Sequence, residues 1–156
     1  MKAGMPNLTT DLDASSIKVG IITAQWNPEI TYSLRDGVIA RLKELNVSGN
    51  HIIQHEVDGS FELPLAAQHM IETHQVDVVI PIGCLVKGST MHFEYISEAV
   101  SQGLMNVGLT TKVPVLFGVL TCLTEEQARN RAIGPGNHGP SWAETAVKLA
   151  LSYQSK

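Results

Sequence analysis

Gly88-Ser89-Thr90, followed closely by His92, is the part of this 156-residue chain whose residue types and spacing best suit chemistry. The segment lies between an apolar run, Val78 to Ile82, and an amphipathic stretch that begins near His92. The run reads as a buried strand ending at Gly83, and the stretch reads as a helix. A strand, a small-residue turn and a helix N-terminus together make an anion seat. The first N–H groups of a helix have no intrahelical acceptor, and the positive end of the helix dipole points the same way. An imidazole titrates at about pH 6.5 when unperturbed, so His92 can both give and take protons near neutrality. A phosphate seat beside a proton-transfer group suggests chemistry on a phosphorylated small molecule. The competing reading of the same turn is an ordinary Ser/Thr helix cap.

Strands and helices must alternate to place that turn. Ile17 to Ala24 reads as a first strand, stopped by Asn27-Pro28-Glu29, a capping residue, a proline suited to the first helical position and an acid in the first turn. Ile30, Leu34, Val38, Leu42 and Leu45 then recur at helical spacing. A second strand spans His51 to Val57, a second helix about Glu62 to His74, and a third strand Val76 to Gly83. The helix after the central turn carries Phe93, Ile96, Val100, Leu104 and Val107 on one stripe. Pro114 to Leu120 is a fourth strand. Thr124-Glu125-Glu126-Gln127 and Ser141-Trp142-Ala143-Glu144 both have capping-box form and each opens a helix, the last with Ala146, Val147, Ala150 and Tyr153 inward. Near-continuous apolar strands alternating with helices imply an α/β fold, a three-layer α/β/α sandwich with a four-stranded parallel sheet of flavodoxin-like type. The expected domains are an N-terminal arm over 1–16 and a single domain over 17–156. Ligands in such folds bind beyond the carboxyl ends of the strands, where every distinctive segment of this chain falls.

Composition narrows the partners. Hydrophobic residues make up 44% of the chain and charged residues 17%, and the net charge is −4. That acidic balance argues against nucleic acid or an anionic membrane surface. The chain has no apolar run of about 18 residues and no apolar segment behind Lys2, so neither a membrane span nor a signal peptide is expected, and the expected location is cytoplasmic. Cys84 and Cys122 form no disulfide framework and no metal-ligand spacing. His51 and His55, read as residues of one strand, lie about 13 Å apart. No metal site is expected.

KGSTMHFEYISEAV (87–100), PVLFGVLTCLTEEQA (114–128) and GNHG (136–139), in this order and spacing, resemble the lumazine synthases, most closely those of fungal type. The likeness runs from about Lys18 to Tyr153. It implies condensation of 5-amino-6-(D-ribitylamino)uracil with 3,4-dihydroxy-2-butanone 4-phosphate to 6,7-dimethyl-8-ribityllumazine in riboflavin biosynthesis, with release of phosphate and water. It also implies no cofactor and no metal. Imine formation, phosphate elimination, tautomerisation and ring closure need proton shuttling and alignment of two substrates more than a strong nucleophile.

The resemblance assigns roles by position. His92 is the acid/base. Trp26, Gly59, Ser60, Phe61, Glu62 and Phe117 face the pyrimidine and its ribityl chain, while Gly88, Ser89, Thr90 and Arg131 hold the phosphate. Asn27, Val86 and His138 are secondary candidates. Each has a plainer structural reading beside it. Trp26 could merely cover a sheet edge, Glu62 suits a helix N-terminus by charge alone, and Arg131 could be a solvated helix residue. Arg129 has Glu125 four residues before it as a partner, whereas Arg131 has Gln127. Asp58 stands where the family usually has Pro, His138 where non-fungal members have Lys, and Ser141 where many members have Asp.

Phe117 and Arg131 match residues that a neighbouring subunit contributes in the family, so the resemblance implies shared sites in a homopentamer, which some members pack into an icosahedral shell. The short AIGPGNHGP segment (132–140) lacks an insertion seen in some pentameric fungal relatives. The N-terminal arm is long enough to add a strand to a neighbour's sheet. Two other readings compete: a flavin- or lumazine-binding or shell-forming protein without turnover, and a flavodoxin-like or receiver-type module that shares only the fold.

Overall fold

The structure, a computed structural model, describes residues 12–154. Four strands, β1 (Val19–Ala24), β2 (Ile52–Val57), β3 (Val78–Val86) and β4 (Gly118–Cys122), form one all-parallel sheet in the order β2-β1-β3-β4. Helices α1 (Pro28–Glu44), α2 (Leu63–His74), α3 (His92–Thr111), α4 (Glu125–Ala132) and α5 (Gly139–Tyr153) complete the three layers expected from the alternation.

The period of two along each strand divides the core in half. Val19, Ile21, Val78, Ile80, Ile82, Cys84, Leu120 and Cys122 point to one face, where Leu34, Val38 and Leu42 of α1 and Ala143, Ala146, Val147 and Ala150 of α5 cover them. Ile22, Ala24, Val79 and Val119 point to the other, beneath Leu63, Ala67 and Met70 of α2 and Val100, Leu104 and Val107 of α3. Burial on both faces is why β1 and β3 read as unbroken apolar runs, whereas β2, at the sheet edge, keeps Gln54, His55 and Glu56 exposed. Between α1 and α5 lies one buried ion pair, Arg41 to Glu144 at 3.3 Å, flanked by Glu44 and Lys148.

Several boundaries differ from the sequence reading, each for a local reason. β3 does not stop at Gly83; it continues through Cys84, Leu85 and Val86, which pair with Leu120, Thr121 and Cys122. β4 starts at Gly118 rather than Pro114, and the preceding segment makes only a bridge between Val79 and Val115. Val79 turns its N–H and C=O toward residues 114–116, and Pro81, next in that alternating series, has no N–H to extend the ladder. The last helix starts at Gly139, whose N–H donates to Asn137 Oδ1 at 2.7 Å, so Ser141 is not its cap and Glu144 turns inward to Arg41. Tyr153 points outward, 69% exposed. His51 sits in a short 3-10 turn, Gly49–His51, ahead of β2 rather than on the strand with His55. Thr124 does cap α4, accepting from the Gln127 N–H at 3.2 Å, while Gln127 Oε1 accepts from the Leu123 N–H at 2.8 Å.

Residues 1–11 of the expected arm lie outside the described residues. Ala14 is fully buried, and its N–H donates to Leu45 O at 2.8 Å. None of the helices among the described residues is long and apolar enough to cross a membrane.

Candidate active site

The chain leaves β1 toward β2 on one side and leaves β3 toward β4 on the other, so a crevice opens between the carboxyl ends of β1 and β3. Trp26 and Asn27 stand on one side of it. Asn27 takes a left-handed backbone (φ 59°) and makes no side-chain cap to α1. Its amide instead crosses the crevice and donates from Nδ2 to Cys84 O at 3.0 Å. The sequence marks Asn27 as a cap, and tertiary contact converts it into a tie between two strand ends.

Trp26 is 71% exposed, with its N–H donating to Asp58 O at 3.1 Å. The indole lies against Gly59, where an added Cβ would stand 3.1 Å from Cδ1. Glycine at 59 therefore lets backbone and indole approach closely. Gln25, Trp26, Asn27, Pro28 and Asp58 line a recess of about 340 Å³. Ser60 and Glu62 occupy the short 3-10 turn Ser60–Glu62. Ser60 is buried against Gly83, where a Cβ would overlap Ser60 Oγ, so the 59–62 turn packs directly on β3. Phe61 is 61% exposed, and Glu62 projects beside Gly59. An exposed indole, an exposed phenyl ring and a carboxylate around a tight backbone turn suit a planar heterocycle carrying hydroxyl groups.

The turn after β3 stands beside this cluster. Gly88 has open space around it, and Ser89 and Thr90 are exposed. Thr90 Oγ1 accepts from the His92 N–H at 3.3 Å, at the start of α3. His92 is the first residue of that helix, with its ring exposed to the turn's surroundings. One hydroxyl of the turn, Thr90 Oγ1, thus satisfies one first-turn N–H, as a Ser/Thr cap does. Sequence reasoning missed how the turn is held. Lys87 pairs with Glu94 across it and lies over the Phe93 ring at 5.8 Å, while the Lys87 N–H donates to Cys122 O at 2.9 Å. Lys87 and Glu94, opposite charges flanking a small-residue turn, were the available signal. Val86 is the last residue of β3, half-buried behind the turn.

Arg131 and His138 form a second cluster near the end of β4. Arg131 is exposed on the last turn of α4, and its Nη1 donates to Gln127 O at 3.0 Å. The His138 N–H donates to Arg131 O at 2.9 Å. Burial and the neighbouring Arg131 charge both push the His138 imidazole below its ordinary pKa. Arg129 pairs with Glu29 of α1 at 2.8 Å, not with Glu125, because α4 packs against the start of α1. The two buried thiols behind these segments are inert. Burial pushes Cys84 up to about 12 and raises Cys122 as well.

Phe117 is not with the others. It precedes β4, so the strand's length puts it about 16 Å from the sheet edge that carries the turn. It lines a larger apolar groove of about 720 Å³ together with Met105, Leu109, Leu149 and Tyr153. One copy of the chain thus joins Trp26, Asn27, Gly59, Ser60, Glu62 and the 88–92 turn at one crevice and leaves Phe117 on a different surface.

The family model for 6,7-dimethyl-8-ribityllumazine synthase matches residues 16–154. A protein of that name from Porphyromonas gingivalis is 47% identical over 135 residues, covering 86% of this chain and 84% of its own. One from Schizosaccharomyces pombe is 45% identical over 145 residues, with 91% of each chain covered. One from Flavobacterium psychrophilum is 42% identical over 139 residues, covering 88% of this chain and 74% of its own. On a match that spans nearly the whole domain, and with relatives both bacterial and fungal, the chain belongs to the 6,7-dimethyl-8-ribityllumazine synthase family.

Proposed function

We propose that the protein catalyses the condensation of 5-amino-6-(D-ribitylamino)uracil with 3,4-dihydroxy-2-butanone 4-phosphate, forming 6,7-dimethyl-8-ribityllumazine in riboflavin biosynthesis. Family membership across residues 16–154 carries the assignment, and the crevice at the β1/β3 switch point supplies groups that fit it. Trp26 stacks on the pyrimidine, the Gly59–Glu62 turn takes the uracil edge and ribityl hydroxyls, and Gly88, Ser89 and Thr90 receive the phosphate. His92 moves protons during imine formation, phosphate elimination and ring closure. Each step is a proton transfer, addition or elimination, and none needs an electron acceptor.

Phe117 and Arg131 complete the site from a neighbouring subunit of a homopentamer. The distance of Phe117 from the crevice within one chain and the exposure of both side chains support that reading. Twelve such pentamers could close into a shell, and the protein works in the cytoplasm. The decisive experiment mixes purified protein with both substrates and follows the fluorescence of the lumazine. The expected result is acceleration well above the spontaneous reaction, and a rate equal to the spontaneous one refutes the assignment. Sedimentation of the same sample reads the assembly. A monomer with full activity would overturn the shared site.

A further inference from the structure

An ion pair between Lys87 and Glu94 closes the turn that precedes α3, and no contact proposed for either substrate uses it. We infer that Lys87 and Glu94 are a positioning pair for the phosphate turn. By locking the two ends of the 88–93 segment together, they hold Ser89, Thr90 and His92 in the arrangement that receives the butanone phosphate. The inference rests on the assignment of that turn to phosphate binding and adds the two residues that set its shape.

Lys87 is anchored at both ends of its side chain. Its N–H donates to Cys122 O at 2.9 Å, which fixes its backbone to the end of β4. Its ammonium pairs with Glu94 Oε1 in the first turn of α3 and lies 5.8 Å from the centre of the Phe93 ring. Among the described residues, little else holds the segment between. Nothing lies within 4 Å of the Cβ position at Gly88, and Ser89, Thr90 and Met91 are exposed. The bond from the His92 N–H to Thr90 Oγ1, at 3.3 Å, lies inside the turn and does not tie it to the sheet. A short loop with clamped ends keeps far fewer conformations than one joined only through its own chain.

Glu94 depends on Lys87 in turn. Its Oε2 is buried with no hydrogen-bond partner among the described residues, as is Ser97 Oγ one turn further along α3. The carboxylate therefore relies on the ammonium to offset its burial. Deprived of it, the carboxylate turns to water, and the first turn of α3, which carries His92, loses its tie to the end of β3. Two ways of acting on the phosphate predict opposite results. If Lys87 served the dianion by charge alone, Glu94 would oppose it, and removing Glu94 would tighten phosphate binding. A positioning pair predicts that loss of either residue weakens it. The geometry favours positioning, because Glu94 already neutralises the ammonium and the Phe93 ring faces it.

The test is steady-state kinetics of the full chain, each substrate varied in turn, for Lys87→Met, Glu94→Gln, the double variant and Lys87→Arg. The two side chains are 38% and 37% exposed, so neither is needed for the core, and thermal unfolding verifies that the variants fold. We expect each single change to lower kcat/KM for the butanone phosphate about 5- to 100-fold, between the effect of a half-exposed ion pair and that of a misplaced reacting group. The KM for the ribitylaminouracil should be nearly unchanged, and the double variant should be no worse than Lys87→Met. Lys87→Arg, which can keep the ion pair, should retain most of the rate. Inhibition by inorganic phosphate reads the turn without the reaction, and its inhibition constant should rise in both single variants. Tighter phosphate binding by Glu94→Gln, single losses that add in the double variant, or a loss in Lys87→Arg equal to that in Lys87→Met overturns the inference. Wild-type protein that fails to accelerate the condensation removes the functional reading, and the inference with it. An active wild type with unaltered Lys87→Met and Glu94→Gln variants overturns the positioning role alone.

Discussion

Trp26→Ala separates binding from folding more cleanly than any other change in the crevice. At 71% exposure the indole contributes little to the core, and its backbone N–H bond to Asp58 O survives any side-chain change. Stability should therefore move by no more than about 0.5 kcal/mol. Stacking of an aromatic on a nucleobase-like ring is worth about 1–3 kcal/mol by alanine substitution. The KM for the ribitylaminouracil should then rise about 5- to 150-fold, with the KM for the butanone phosphate nearly unchanged. Trp26→Phe should recover most of the loss. Gly59→Ala offers an independent approach, because its Cβ would stand 3.1 Å from the indole and displace it. If both act through the ring's position, the double variant should be little worse than Trp26→Ala alone. Steady-state kinetics with each substrate varied in turn, alongside thermal unfolding, provide the readout. An unchanged pyrimidine KM, or a large loss of stability, would show that the indole serves the fold and not the ligand.

Other expected outcomes test different parts of the argument. His92→Asn should lower kcat by about 10²–10⁴ while leaving the melting temperature alone, since the ring is exposed and the N–H bond to Thr90 is a backbone bond; an unaltered kcat refutes the acid/base role. Gly83→Ala drives a methyl into Ser60 Oγ and should cost about 1–3 kcal/mol in denaturant unfolding, part of it recovered by adding Ser60→Gly. The buried Cys84 thiol, raised from 9.0 to about 12, favours the folded state fully below pH 9. That contribution should be lost progressively as pH rises from 9 toward about 12, because the unfolded chain ionises first. Cys84→Ala should abolish that part of the slope.

The alternation of strands with helices needed nothing beyond local pattern, because a parallel sheet buried on both faces leaves period-free apolar runs in its inner strands, β1 and β3, and 3.6-residue stripes in the helices that cover them. Ile30, Leu34, Val38, Leu42 and Leu45 were legible as a core face for that reason, and all are buried. The turn at 88–90 and its helix-start histidine were legible too, since a Gly/Ser/Thr turn ahead of a helix is written in consecutive residues. Boundaries were less legible wherever a distant residue decides them. Pro81 in β3 delays β4 by withholding an N–H, and Asn137 starts α5 before the Ser141 box. Asn27 has the composition of a cap, yet its amide bonds Cys84 O because β1 and β3 lie side by side. Arg129 pairs with Glu29, which is far off in sequence, and not with the helical neighbour that spacing suggests.

Sequence by itself determined the fold class, the family and the residue types available for catalysis, because these follow from local periodicity and from motifs of contiguous residues. Tertiary structure decided which of those residues meet. Strand order put Trp26, Gly59 and the 88–92 turn at one crevice, and strand direction put Phe117 at the far end of β4. The fold of the 133–138 turn brought His138 beside Arg131, where the guanidinium and burial alter its proton affinity. Proximity between segments distant in sequence comes from packing, and electrostatic coupling depends on that proximity. No reading of spacing along the chain supplies either.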